Sequence, residues 1–376
     1  MTATDTKLLR RKNIFHRQLA SSCAAFGAGL LVITVLIMVS GDNASERLGL
    51  FFSKPFSSWW YLGNMLNTAG LLLFAGIGSA FALKSGSFNL GGEAQIYAPA
   101  LVTAVILGYG GAATQGQTVS AHPGFILLMA FLCAIFTGAL LGFIPGILRA
   151  RFRISELLSS FLLSAALIPV IDYLIGGPLR YRSGNLLATP TIARVFRITP
   201  IVRPSYFNIS FFIAILLAIL IGLFFKRTGP GYRIRITGTA PEFALFSGFP
   251  VQRITTAGMT ISGMFHALTG FFAITGTWYM CHSGFSSGMG WSALAIALIA
   301  RQNLFAVIPV SLLYAWLETA SDVATAGVSF SFDSTSIMQA VIFLVISAQT
   351  FGEFLQRRKP TNRKPSTTEA KEEVYL

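Results

Sequence analysis

Residues 85–95, SGSFNLGGEAQ, place Asn89, Glu93 and Gln95 among glycines, between two long apolar segments. Such side chains suit hydrogen bonding to an opened backbone, because an unpaired amide is costly in hydrocarbon. Asn89 could bond the freed groups. Glu93 could cap the next helix at its positive N-terminus or accept bonds from a neighbouring span. The competing interpretation is a plain cytoplasmic turn.

A second glycine-rich stretch, CHSGFSSGMGWSALAIA, covers residues 281–297. It also contains a Ser-Gly-x-Phe-like sequence followed by a short apolar segment. We interpret both stretches as breaks in membrane helices, where glycine permits close approach and unusual dihedral angles. The candidate residues of this gate region are Gly86, Phe88, Asn89, Gly91, Gly92, Glu93, Gln95, Ser283, Gly284 and Gly288.

Enzymatic chemistry finds little support in the remaining residues. The histidines (His16, His122, His266 and His282) form no pair at metal-ligand spacing, and the cysteines (Cys23, Cys133 and Cys281) are widely separated. The sequence contains no GxxxxGK[ST] phosphate loop, so any ATP hydrolysis is expected from a partner. We therefore predict a non-enzymatic chain with no catalytic residues, metal or cofactor.

The composition is that of an integral membrane protein. Of 376 residues, 53% are hydrophobic and 11% charged, whereas soluble domains carry about 25% charged residues. Continuous apolar runs predict an all-α protein with ten transmembrane helices and not a barrel of short alternating strands. The predicted spans are 20–40, 61–83, 93–109, 124–147, 157–175, 207–225, 254–276, 288–300, 303–320 and 336–352, the third and eighth being short for a full crossing.

The distribution of Lys and Arg predicts the orientation. Basic residues collect in the N-terminal segment 1–19, in the tail 353–376 and in loop 226–253, so we place all three in the cytoplasm. Loop 176–205 is also basic although the topology places it outside. Its arginines could meet an acidic partner or lipid headgroups. They are Arg180, Arg182, Arg194, Arg197 and Arg203.

In this topology span two runs from the outside to the cytoplasmic side, and span seven runs from the cytoplasmic side to the outside. The two breaks that follow them would therefore face opposite sides of the membrane. Inverted-topology repeats have this parity, so we predict that spans two to five and seven to ten are two such repeats.

The cytoplasmic stretch KRTGPGYRIRITGTAPEFALFSGFP, residues 226–250, predicts a short helix at the membrane surface. Pro241 suits a first helical turn. A solvated linker would not need Phe243, Leu245, Phe246 and Phe249, which are unfavourable in water unless a protein or lipid covers them.

The run Gly86 to Gln95 resembles the Gly-x-Phe-Asn-Ile-Gly-x-Glu-Gly-Gln signature of ABC importer permeases for ribose, nucleosides, riboflavin and branched-chain amino acids. Loop 226–253 resembles their ATPase-coupling segment. The departures are Ala94, Ala240 and Phe243, where the family commonly has Gly, Asn and a small residue. The corresponding coupling positions are Arg235, Gly238, Pro241, Ala244 and Gly248.

This resemblance implies a multi-pass permease of the bacterial inner membrane. Its partners would be ABC ATPase subunits, a second permease subunit in a homodimer or heterodimer, an extracytoplasmic substrate-binding protein and membrane lipids, with no nucleic acid. A nucleoside is the preferred substrate, because the 33 phenylalanines suit flat rings, with riboflavin and a simple sugar as alternatives. A secondary transporter is the rival class. Its candidate ion-binding residues are Glu156, Asp172, Glu318 and Asp322.

Overall fold

The computed structural model of the chain describes residues 44–109, 122–182 and 184–325, together with helical residues inside 27–38 and 337–341. The described part is helical and joined by irregular loops. The helices are α1 (Ala44–Ser53), α2 (Trp59–Lys84), α3 (Gly92–Tyr109), α4 (Pro123–Phe152), α5 (Glu156–Gly176), α6 (Ser210–Arg227), α7 (Gly229–Thr239), α8 (Pro241–Phe246), α9 (Val251–Ala273), α10 (Met289–Ile299) and α11 (Leu304–Thr325).

Six helices in the described residues are long and apolar enough to cross a membrane: α2, α4, α5, α6, α9 with its π-helical extension, and α11. Helix α3 is not among them, and α10 has only 11 residues. The all-helical class is therefore confirmed. The eighth predicted span is short, as expected, whereas α3, in the place of the third, has 18 residues. The first and tenth predicted spans, 20–40 and 336–352, lie largely outside the described residues, so the count of ten stays a prediction.

Helix α2 runs through the centre of the bundle, and 89% of its apolar 18-residue stretch is buried. A helix that is apolar on all sides is suited to such a position. Glycines let its neighbours approach: a Cβ on Gly70 would lie 3.0 Å from the Cα of Phe211 in α6, and one on Gly78 would lie 2.8 Å from the carbonyl oxygen of Ser262 in α9.

Helices α4 and α9 pack backbone to backbone along a stripe of glycines spaced four residues apart. A Cβ on any of these glycines would press into the facing helix, so the stripe permits the close approach that is common between membrane helices. The facing pairs are Gly138 with Gly263, Gly142 with Met259, and Gly146 with Thr256.

Helices α3 and α10 start at one meeting point inside the bundle and run to opposite ends of it. The far end of α3 reaches the loop after α5, where the hydroxyl of Tyr109 donates to the carbonyl oxygen of Leu179 at 3.1 Å. Beyond α10, the carbonyl oxygen of Gln302 accepts from Lys84 at 3.1 Å, beside the C-terminus of α2. At about 1.5 Å per residue, α10 covers about 16 Å, roughly half of a 30 Å hydrocarbon core.

Candidate functional site

The first break is an irregular segment between α2 and α3, and the Asn89 side chain organises its interior. Asn89 is 3% exposed, and its Oδ1 accepts from the amide of Gly91 at 2.9 Å. Its Nδ2 donates to Oε1 of Gln95 at 2.7 Å and to Oγ of Ser262 at 2.9 Å. Gly86 adopts φ +80°, which glycine tolerates best. Asn89 thus bonds a freed amide and ties the segment to α9.

A polar stripe on α5 satisfies three further amides of the break and of the start of α3. Glu156, Ser160 and Ser164 recur every four residues and therefore share one face of an otherwise apolar helix. Three backbone amides donate to this stripe: Phe88 to Glu156 at 3.3 Å, Leu90 to Ser160 at 3.0 Å and Ala94 to Ser164 at 3.0 Å.

Arg149, at the end of α4, anchors this stripe to the break. Its Nη1 lies 2.6 Å from Oε1 of Glu156, in a charge-assisted hydrogen bond. The same nitrogen donates to the carbonyl oxygen of Gly86 at 2.9 Å and to Oγ of Ser87 at 3.2 Å. The end of α4 and the start of α5 are therefore bound to the start of the first break.

The two breaks meet at Glu93. Its Oε1 accepts from the amide of Gly288 at 3.0 Å, and its Oε2 accepts from the amide of Gly290 at 2.8 Å. A Cβ on Gly92 would lie 3.1 Å from the Cα of Gly290, so the N-termini of α3 and α10 touch. An anion there offsets the positive end of α10. Of the two roles weighed for Glu93, the geometry matches bonding to a neighbouring segment.

The second break is held by Asp172, which lies sixteen residues after Glu156 on α5. Oδ1 of Asp172 accepts from the hydroxyl of Tyr97 at 2.6 Å and from that of Ser283 at 2.7 Å. The amide of Gly284 in turn donates to the Tyr97 hydroxyl at 3.1 Å. One helix, α5, therefore supports both breaks, the first near its start and the second near its end.

Residues 187–192 of the loop after α5 run alongside residues 279–283, at the start of the second break. The backbone amides of the loop donate to the carbonyl oxygens of the break. The Arg197 guanidinium donates to the carbonyl oxygen of Ile192 and stacks over the Tyr279 ring at 4.7 Å. The three backbone pairs are Thr189 with Cys281, Ile192 with Tyr279, and Ser283 donating back to Leu187. Arg197 is thus engaged within the chain, whereas Arg182 and Arg194 are exposed.

The predicted coupling segment divides into two helices, α7 and α8, with Pro241 in the first turn of α8. The side chains that project from α8 are Phe243 (59% exposed), Leu245 (65%) and Phe246 (92%). Ala244, one of the predicted coupling positions, is fully buried against the chain itself and therefore lies outside this projecting surface. Gly248 adopts φ +77° in the turn that follows.

Helix α7 contacts the first break directly, through glycine. A Cβ on Gly86 would lie 2.9 Å from the Cα of Gly238, and one on Gly238 would overlap the carbonyl oxygen of Lys84. The Arg235 guanidinium lies 5.7 Å from the centroid of the Tyr232 ring on the same helix. A movement of α7 would therefore press on the backbone of the break.

A family model described as the permease component of branched-chain amino acid transport systems matches residues 61–348. This range covers both breaks and the predicted coupling helices α7 and α8. The chain belongs to this family of ABC importer permeases. The resemblance carried by the 86–95 motif is therefore confirmed, and the family consists of transport subunits whose ATPase is a separate partner.

Several curated proteins resemble this permease along most of its length. The probable riboflavin import permease RfuC of Treponema pallidum is 40% identical over 338 residues, which cover 89% of this chain and 86% of the relative. The guanosine permease NupP of Bacillus subtilis is 24% identical over 77% of this chain and 82% of its own. The glucose permease TsgB13 of Haloferax volcanii is 23% identical over 89% and 90%. No solved structure matches the chain.

The structure of the permease brings Gly92, Glu93 and Gly288 together, whereas Gly86 and Ser283 lie near opposite ends of α5. The predicted coupling residues lie at the end that holds Gly86. The contact between Gly86 and Gly238 connects the first break to the predicted coupling segment. Sequence reasoning missed the α5 stripe: it considered Glu156 and Asp172 only as ion ligands, yet both hold the breaks. The spacing of four between Glu156, Ser160 and Ser164 was the available signal, since polar residues on one face of an apolar span indicate a buried polar contact.

Proposed function

We propose that this permease forms the translocation path of an ATP-driven riboflavin importer in the bacterial inner membrane, with both termini in the cytoplasm. The observation that carries the substrate is the 40% identity to the probable riboflavin permease over nearly the whole of both chains. The guanosine and glucose permeases share only 24% and 23% identity. Riboflavin therefore replaces the nucleoside as the preferred substrate, and guanosine is the second candidate.

The second break offers a surface suited to a flat ring system. Ser283, Gly284 and Ser287 are exposed there. Polar backbone within a membrane is tolerated only beside water or protein, so we expect these residues to line a water-filled space. Trp278 lies next to them, with its ring centroid 6.2 Å from that of His282 and 5.2 Å from that of Phe285. Aromatic faces beside hydroxyl and amide groups match a solute that joins a heteroaromatic ring to a polyol.

The gate region, in this proposal, consists of helix α3, the half-length helix α10 and the breaks before them. Their opposed directions from the Glu93 contact support the two inverted repeats, spans two to five and seven to ten. Movement of α7 and α8 on an ATPase would reach the first break through Gly238 and Gly86. The remaining partners are a second permease subunit and a binding protein that delivers substrate.

Uptake in proteoliposomes tests the substrate. The permease is reconstituted with its ATPase and binding protein, and labelled riboflavin, guanosine and glucose are offered separately. We expect ATP-dependent accumulation of riboflavin that survives collapse of the ion gradient, because no coupling ion drives it. Accumulation of guanosine or glucose without riboflavin would overturn the assignment, and loss of uptake with the gradient would overturn ATP-driven transport.

A second prediction concerns docking of the binding protein on the loop after α5. Arg182 and Arg194 are exposed, so reversing either charge to Glu should slow association roughly three- to ten-fold at low ionic strength. Association is measured by surface plasmon resonance at two salt concentrations. Arg227→Glu, at the opposite end of the bundle, is the matched control. Equal association rates for all variants would indicate contact with lipid headgroups instead.

A further inference from the structure

A groove of about 540 Å³ lies between α4 and α9, beside the glycine stripe that joins them. Its deeper walls are mostly apolar, formed by Phe143, Ile147 and Ile261 with Thr260 beside them. Arg151 and Arg253 line it as well, and Ala257 forms an exposed part of its wall. This groove is separate from both helix breaks.

The two helices run in opposite directions, so both arginines lie at the same end of the groove. Arg151 is in the last turn of α4 and Arg253 in the first turn of α9. Phe143 and Ile261 each lie eight residues deeper, which is about 12 Å along a helix. The groove therefore has a cationic mouth and an apolar body.

The charges at the mouth are uncompensated within the described part of the chain. Arg149, one half-turn earlier on α4, pairs with Glu156. Neither Arg151 nor Arg253 has a carboxylate within ion-pair distance among those residues. Two neighbouring guanidinium groups repel each other unless an anion lies between them, and phosphate oxygens match their hydrogen-bond geometry.

The body of the groove faces the hydrocarbon side of the bundle. Only 28% of the apolar 18-residue stretch of α4 is buried. Phe136, Leu140 and Phe143 on this helix are 68%, 43% and 42% exposed. A soluble anion would leave this apolar crevice empty. A ligand that combines a phosphate with an alkyl chain fills both parts.

We propose that the groove binds one anionic phospholipid, with its phosphate between Arg151 and Arg253 and an acyl chain along Phe143, Ile147 and Ile261. Basic pockets between transmembrane helices at the cytoplasmic surface are suited to such headgroups. Helix α9 begins five residues after α8 ends. The headgroup therefore lies next to the projecting side chains of the coupling segment, where it can steady the start of α9.

Lipid retention on the purified full-length permease tests this site. The protein is equilibrated with phosphatidylglycerol or phosphatidylcholine and analysed by native mass spectrometry. Wild type should retain one phosphatidylglycerol in preference to phosphatidylcholine. The double variant Arg151→Gln/Arg253→Gln should bind phosphatidylglycerol roughly ten- to thirty-fold more weakly, since each basic residue contributes about 1 kcal/mol near a membrane surface.

Two further variants make the result independent of folding. Ala257→Phe fills the groove and keeps both charges, so it should also lose the bound lipid. Arg227→Gln removes a cytoplasmic charge outside the groove and should retain it. Retention of phosphatidylglycerol by the double variant and by Ala257→Phe at the wild-type level would overturn the proposal. Displacement of the lipid by inorganic phosphate alone would overturn the role of the acyl chain.

Discussion

Replacing Gly238 with alanine is expected to uncouple ATP hydrolysis from transport. The new Cβ would overlap the carbonyl oxygen of Lys84 and lie 2.8 Å from the amide nitrogen of Gly86, so α7 must move away from the first break. Backbone atoms cannot rotate aside as a flexible side chain can, and the contact that would transmit movement is lost. We expect ATP-driven uptake to fall at least ten-fold while the ATPase still turns over.

The matched control is Gly49→Ala, because Gly49 also lies inside a helix but has open space around its Cα. Alanine favours a helix over glycine by about 1 kcal/mol, so propensity alone would stabilise both variants. Uptake and ATP hydrolysis are measured in the same proteoliposomes, at equal amounts of reconstituted protein. Normal coupling in Gly238→Ala would refute a route through this contact.

Replacing Glu93 with leucine should be equally severe, for a different reason. The carboxylate accepts from the amides of Gly288 and Gly290, and leucine removes this shared acceptor at the start of α10. Each buried unsatisfied donor costs about 1–3 kcal/mol, and the positive end of α10 loses its anion. We expect lower yield of folded protein, a lower melting temperature and almost no uptake from the protein that does fold.

Glutamine at position 93 separates the contribution of the hydrogen bonds from that of the negative charge. Its side-chain carbonyl can accept one of the two bonds, while its NH₂ group faces the other donor, so its effect should lie between wild type and leucine. Glu46→Gln removes an exposed carboxylate from α1 and serves as the control for charge. Melting curves and uptake at matched protein levels give the order. Full activity of Glu93→Leu would mean that the contact between the breaks is dispensable.

The contacts of α5 change how the acidic residues of this permease are interpreted. Acidic side chains inside a membrane protein suggest ion coupling when they are considered alone. Here the carboxylates of Glu156 and Asp172 accept bonds from the backbone or hydroxyl groups of the two breaks. These bonds satisfy polar groups of the two non-helical segments, for which hydrocarbon offers no hydrogen-bond partner.

Local patterns in the sequence determined a large part of this account. Apolar runs predicted the long helices, and glycines with polar neighbours predicted the breaks before α3 and α10. Pro241 and the exposed aromatic residues predicted the surface helix of the coupling segment. These features can be inferred from one sequence because hydropathy, helix starts and helix breaks depend on residues within a few positions of each other.

Only the tertiary structure decided which of these parts touch. Glu93 bonds amides almost two hundred residues away, and Gly238 packs on Gly86. Helix α5 supports the first break through Glu156 and the second through Asp172, although the two breaks flank it in the chain. Burial of Ala244 was likewise invisible, since α8 is too short for periodicity to indicate its inner face. Contacts between distant segments depend on how helices pack, and a single sequence carries no local signal for that arrangement.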